Sequence, residues 1–225
     1  MRLTKKIQAA ALLSALALTG CSTATNNTTG GAQDSNIVTQ APQEKGYPVT
    51  INVSDSQGNS FDQTFESAPT RVITNNQSSL ELLLKLGLKD VIVGTISLDT
   101  DLPEELKDEF EGINILTTTK QDPAKEVVIG SSPDLVIGRA ASFTDDSFGT
   151  IESLNEVGAN VYVQEASQMN TKQTLENIIE DVRNVGQIFQ TEAAETFATE
   201  LEQRLDEVKK QISTIEGKEI RTLVM

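Results

Sequence analysis

From residue 47 onward the chain shows two hydrophobic rhythms. Over 47–65, "YPVTINVSDSQGNSFDQTF", apolar and polar residues alternate on both sides of Gln57-Gly58-Asn59, which predicts a β-hairpin. From 71 the rhythm changes. Short β-branched runs at 71–74, 91–95, 113–116, 134–138 and 160–163 alternate with helical stretches at 79–86, 103–110, 123–129 and 150–157. Such alternation builds βα units and a mostly parallel sheet. "DVIVG" and "DLVIG" are continuously apolar, as strands are when helices cover both faces of a sheet. The expected fold class is α/β: a lobe with a mostly parallel sheet flanked by helices, preceded by a β-hairpin and followed by a long helix.

Boundary residues support these spans. Ser78 and Glu81 have capping-box spacing before "LELLLKLGL", with Gly87 at the C′ position. Asp122 before Pro123 reads as an N-cap followed by proline at N1, and Gly158 closes the helix carrying Ile151, Leu154 and Val157. The longest element, 191–216, sets Phe197, Leu201, Leu205, Val208, Ile212 and Ile215 on one stripe of an otherwise charged helix. About 25 residues at 1.5 Å each span roughly 37 Å, the length of a small domain. The stripe is too narrow, and short of four clean heptads, for a coiled-coil dimer, so a monomer is expected. Beyond it "GKEIRTLVM", 217–225, reads as a further strand with no helix to cover it.

The N-terminus sets the compartment. Arg2, Lys5 and Lys6 precede an apolar run, 7–18, far shorter than the ~20 residues that cross a bilayer, which is the form of a signal peptide over 1–20. Leu18-Thr19-Gly20-Cys21 resembles a bacterial lipobox, which implies cleavage before Cys21, lipid attachment to it, and a place on the outer face of the cell membrane. Residues 21–46 are rich in Ser, Thr, Asn, Gly and Gln and read as a flexible tether. Loss of 1–20 leaves 15 basic against 33 acidic residues, a formal charge of −18. That balance argues against nucleic acid, whose binding rests on Lys and Arg at phosphates, and leaves the acyl chain to hold the protein to the membrane.

Residue types limit the chemistry. The chain has no His and one Cys, so neither a His-rich metal site nor a Ser-His-Asp or Cys-His arrangement can be assembled. No P-loop or GxGxxG fingerprint occurs, and no enzymatic activity and no directly bound cofactor are expected. One residue stands out: the apolar run "SSPDLVIGRA" ends in Arg139, at the tip of a predicted strand, where open α/β sheets bind ligands.

"APTRVI", "LELLLKLGLKDVIVGT", "PAKEVVIGSSPDLVIG" and "ENIIEDVRNVGQIFQTEAAETF" together resemble the iron-siderophore and cobalamin class of substrate-binding lipoproteins that serve ABC importers. The resemblance covers about 47–225. It implies two α/β lobes joined by one long helix, with the ligand gripped between them: 47–190 as the N-terminal lobe, 191–216 as the connecting helix, and 217–225 as the first strand of a C-terminal lobe, the chain being the N-terminal portion of such a protein. It implies a ferric siderophore, hydroxamate or catecholate, or else cobalamin, held by strand-end loops that carry Asn76, Gln77, Ser97, Lys120, Arg139, Ser142 and Phe143. By position it also implies that Arg139 meets the ligand and that Glu126 docks on the importer's permease. For Arg139 the alternative is a structural ion pair with Asp145, Asp146 or Glu165; for Phe143 it is a loop anchor. A surface lipoprotein with an enzymatic or adhesive role is the competing class. The missing catalytic residue types and the parallel-sheet pattern count against it.

Overall fold

The computed structural model describes residues 46–117, 119, 121–168 and 172–214. The expected signal peptide, Cys21, the tether apart from Gly46, Lys120 and the strand over 217–225 lie outside them. The hairpin is present as β1 (Val49–Ser54) and β2 (Ser60–Phe65), paired antiparallel with Val49 opposite Phe65. Its loop is organised by Asp55, whose carboxylate accepts the backbone N–H groups of Gln57 and Asn59 at 2.8 Å each.

The main sheet contains β3 (Val72–Thr74), β4 (Ile92–Ile96), β5 (Ile115–Thr117), β6 (Leu135–Gly138) and β7 (Asn160–Val163), in the order β5-β4-β3-β6-β7 with every neighbouring pair parallel. The helices between strands are α1 (Gln77–Lys85), α2 (Glu104–Phe110), α3 (Lys125–Gly130) and α4 (Ile151–Glu156). Val72, Ile73, Leu135, Val136 and Ile137 are fully buried, consistent with unbroken apolar strands between two helical layers. The exposed edge of β7 is closed by the hairpin: Gln63, itself buried, accepts the N–H of Val161 at 2.8 Å and the Asn155 amide at 2.9 Å.

Two helix starts differ from expectation. Asn76, not Ser78, caps α1, its side chain accepting the Ser79 N–H at 3.0 Å, so the helix begins two residues earlier and Glu81 accepts from Gln77 Nε2 instead of closing a capping box. Likewise α3 begins at Lys125 after Ala124, and Asp122 is spent elsewhere.

Two helices follow, α5 (Leu175–Phe189) and α6 (Glu192–Ser213). They run antiparallel: Arg183 meets Glu195 and Glu202, and Glu176 meets Lys209. Gly186 permits the close approach at their joint, since a Cβ there would collide with that of Ala194. The apolar stripe divides. Ala194 and Ala198 are buried and Phe197, Leu201 and Leu205 pack against the core, whereas Val208 and Ile212 are 48% and 54% exposed. Among the described residues no helix is long and apolar enough to cross a membrane.

Candidate functional site

The strand order reverses between β3 and β6. After β3 the chain builds outward through β4 to β5, then returns to place β6 on the other flank of β3 and β7 beyond it. At such a switch point the two following loops diverge and leave a crevice outside the strand ends. Asn75 leaves β3 there and Arg139 leaves β6.

Asn75 is fully buried and stitches the two loops: its Oδ1 accepts the Arg139 N–H at 2.7 Å, its Nδ2 donates to the Arg139 carbonyl at 3.3 Å, and its own N–H donates to the Ile137 carbonyl at 2.9 Å. Gly138 makes that stitch possible, because any Cβ at this position would lie on the Asn75 amide. The backbone of Arg139 is therefore fixed while its side chain projects, 47% exposed. Arg139 Nε donates to Ser142 Oγ at 2.9 Å, and Nη2 lies 3.6 Å from Asp122 Oδ1. The expected alternatives for an ion pair were Asp145, Asp146 and Glu165. The carboxylate beside Arg139 is instead Asp122, while Asp145 pairs with Lys125 at 3.1 Å.

The other candidates divide by burial and engagement. Asn76 donates to Gln164 Oε1 and to Ser78 Oγ, both at 2.9 Å, which ties the β3 and β7 loops together. Gln77 clamps the loop after β4, its Oε1 accepting the N–H groups of Asp99 at 2.8 Å and Thr100 at 3.0 Å. Ser97 donates to the Thr119 carbonyl at 2.8 Å and so joins the β4 and β5 loops. Ser142 and Phe143 are 1% and 5% exposed. Phe143 belongs to the core cluster, so its ring anchors the loop and presents no face to the crevice; this corrects the expectation of a stacking aromatic. Ser142 reaches the crevice only through Arg139. Glu126 stands exposed in the first turn of α3.

The periplasmic binding protein family matches residues 72–225. The chain belongs to that family. An ABC transporter substrate-binding lipoprotein of Bacillus subtilis (strain 168), YvrC, itself uncharacterized, is 25% identical over 218 residues, covering 96% of this chain and 62% of the relative. A periplasmic binding protein from Veillonella parvula DSM 2008 superposes with a TM-score of 0.67 at 26% identity, covering 75% of this chain and 54% of that one. An ABC-type Fe3+-hydroxamate transport system protein from Saccharomonospora viridis DSM 43017 gives 0.58 at 25% identity, covering 73% and 56%. The chain thus spans little more than half the length of the structures it matches.

In this periplasmic binding protein, two participants were missed from the sequence. Asp122, expected as a helix cap, sits between Arg139 and Ser147 Oγ, which donates to it at 2.8 Å. Asp181 is 2% exposed on α5 and accepts from Tyr162 Oη at 2.7 Å and from the N–H groups of Glu165 at 2.6 Å and Ala166 at 3.1 Å. Burial pushes its carboxyl up to about 6, against the pull of those bonds. Its signal was legible: Asp181 stands one and two turns before Val185 and Ile188, a carboxylate on the apolar face of an amphipathic helix. A groove of about 600 Å³ between α1, α2, α5 and α6 also opens near Asn76 and Gln164, but Arg139 does not line it.

Proposed function

We propose that this periplasmic binding protein is the solute-binding component of an ABC importer and takes a ferric siderophore at the β3/β6 crevice, for iron uptake. The observation that carries the reading is Arg139: a guanidinium on a rigid backbone at the switch point, with one hydroxyl partner and its nearest carboxylate at 3.6 Å. Guanidinium stays charged in any cleft and offers a planar fork to oxygen acceptors such as the hydroxamate or catecholate oxygens around a ferric ion. The likeness to the Fe3+-hydroxamate transport protein supports the ligand class. In this reading Asn76, Gln77 and Ser97 shape the same face, Lys120 is kept as a ligand-binding candidate on the sequence alone, Ser142 aims Arg139, residues 47–190 form one lobe, and 191–216 connects it to another. Cys21 carries the lipid that holds the protein to the outer face of the membrane, and Glu126 docks on the permease.

The test is a thermal-shift titration of the lipid-free chain with a ferric trihydroxamate, a ferric tricatecholate, cobalamin and the iron-free chelators. Binding to the native state raises the midpoint by mass action. A rise with one ferric chelate, reduced in Arg139→Ala, is the expected outcome. A rise with cobalamin alone, or an equal rise in Arg139→Ala, would overturn the ligand or the site.

A further inference from the structure

The loop after β7 is tied to the loops after β3 and β6, and from α5 to one carboxylate. Gln164 N–H donates to the Gly138 carbonyl at 2.8 Å, and Gln164 Oε1 accepts from Asn76. Ser167 Oγ accepts the Ala140 N–H at 3.0 Å, from the first residue after Arg139. Between these two anchors lie Glu165 and Ala166, in the 3-10 turn Glu165–Ser167, and their N–H groups donate to the Asp181 carboxylate. The same carboxylate accepts from Tyr162 on β7, whose hydroxyl also accepts from Asn184 on α5.

We propose that Asp181 is a positioning residue for the binding site: from α5 it holds the backbone of Glu165 and Ala166 and through it sets the position of Gln164 and the Ala140 link beside Arg139. The proposal rests on the reading of the β3/β6 crevice as the ligand site. The chemistry is specific to an ionised carboxylate. Oδ1 accepts from Tyr162 and Glu165 and Oδ2 from Ala166, and protonation weakens these bonds by removing the charge and one lone pair from the acceptor. An ordinary cap on a surface turn would sit in water, whereas this one is only 2% exposed, at the base of the groove, so water replaces a lost bond poorly.

The surroundings decide when that happens. Burial favours the neutral form and the three hydrogen bonds favour the charged one; the balance places the carboxyl at about 6. Glu165 adds a repulsive charge from the loop itself, and its own carboxyl is pushed up by burial and by Glu180. Tyr162 is driven well above its ordinary value by burial and by Asp181, so it remains a donor. The groove that Asp181 lines also carries Glu81 and Lys85 from α1, Glu105 from α2 and Arg204 from α6.

The experiment is amide hydrogen exchange by NMR on the whole chain, corrected for intrinsic rates, from about pH 7.5 to about pH 5, with affinity for a ferric trihydroxamate measured in parallel. In the wild type, protection at Glu165 and Ala166 falls as pH falls through about 6, while Val136 and Ile137 hold. In Asp181→Asn protection at the two amides is roughly tenfold lower at pH 7.5 and no longer changes with pH, and chelate affinity drops by at least threefold. Tyr162→Phe keeps both amide bonds but loses a bond that favours the charged form, so its protection is near wild type at pH 7.5 and its midpoint moves up. Wild-type protection at Glu165 and Ala166 in Asp181→Asn overturns the proposal. So does lost protection with chelate affinity unchanged. If Asp181→Asn does not fold, the wild-type pH series and the Tyr162→Phe midpoint decide it. A wild type that binds no chelate removes the proposed ligand, and the amide readout still decides whether Asp181 holds the loop.

Discussion

Arg139 and Arg183 are the same side chain beside carboxylates, in two regions that use it differently. On the α5/α6 seam Arg183 donates to Glu202 at 2.8 Å and to both oxygens of Glu195 at 3.3 Å, and those bonds, Glu202 first, drive its pKa above the ordinary value. At the β3/β6 crevice Arg139 donates one bond to a hydroxyl, and its carboxylate neighbour stands beyond hydrogen-bond reach. The seam engages three of the five guanidinium N–H groups, all with carboxylate oxygens. The crevice fixes the backbone of Arg139 through Asn75 and leaves most of the fork unspent. Donor capacity held in place but not consumed is what distinguishes a recognition residue from a brace.

The largest expected effect breaks the crevice and spares the seam. Gly138→Ala drives a methyl into the buried Asn75 amide and costs the stitch to Arg139. Overpacking plus lost buried hydrogen bonds should lower unfolding stability by about 3 kcal/mol in urea denaturation. A loss below ~1 kcal/mol would mean that Asn75 has somewhere else to go. Next, Arg139→Ala should weaken binding of a ferric chelate by about tenfold, ~1.4 kcal/mol, with stability changed by no more than ~0.5 kcal/mol, by calorimetric titration and thermal melts. Arg183→Ala should do the reverse, lowering the melting temperature with affinity unchanged. If both variants affect only stability, the two arginines are equivalent and the contrast fails.

The parts of this contrast were unequally legible. The alternation of apolar runs marked all five parallel strands to within two residues, because strands covered on both faces leave a compositional trace that local pattern can read. Arg139 was visible for the same reason, as a charge closing an apolar run. Its partner was not. Asp122 and Arg139 are 17 residues apart in sequence, in the loops after β5 and β6, and only the tertiary fold sets those loops side by side. Phe143 shows the converse limit: a loop aromatic next to a candidate arginine carries no sequence mark of facing inward. The apolar stripe on α6 was read correctly as a helix face, yet periodicity cannot tell how far along that face another element extends.

A smaller effect separates the loop after β7 from both arginines. Asp181 has a native pKa raised from 3.8 to about 6, so between those values the folded state binds more protons than the unfolded one. Its contribution to stability is therefore greatest in acid and is lost as pH rises through about 6. Relative to Asp181→Asn, the wild type should gain about 1 kcal/mol between pH 7.5 and pH 5. Thermal melts of the pair at matched pH measure it. A gain of the opposite sign would mean that the hydrogen bonds outweigh burial at this carboxylate.

The smallest effect tests where the seam ends. Ala194 and Ala198 are buried under α5, and Arg183 is the last side chain to bridge the helices before the outlying pair of Lys209 and Glu176. Past it, Val208 and Ile212 are about half exposed. Replacing both with Gln removes little buried apolar area and puts a better helix former in each position. The losses and gains should offset, so Val208→Gln with Ile212→Gln should shift unfolding by less than ~0.5 kcal/mol. A loss above ~1 kcal/mol would mean that something covers the distal half of α6 in solution. The seam would then extend beyond Lys209, and Arg183 would brace its middle instead of its end.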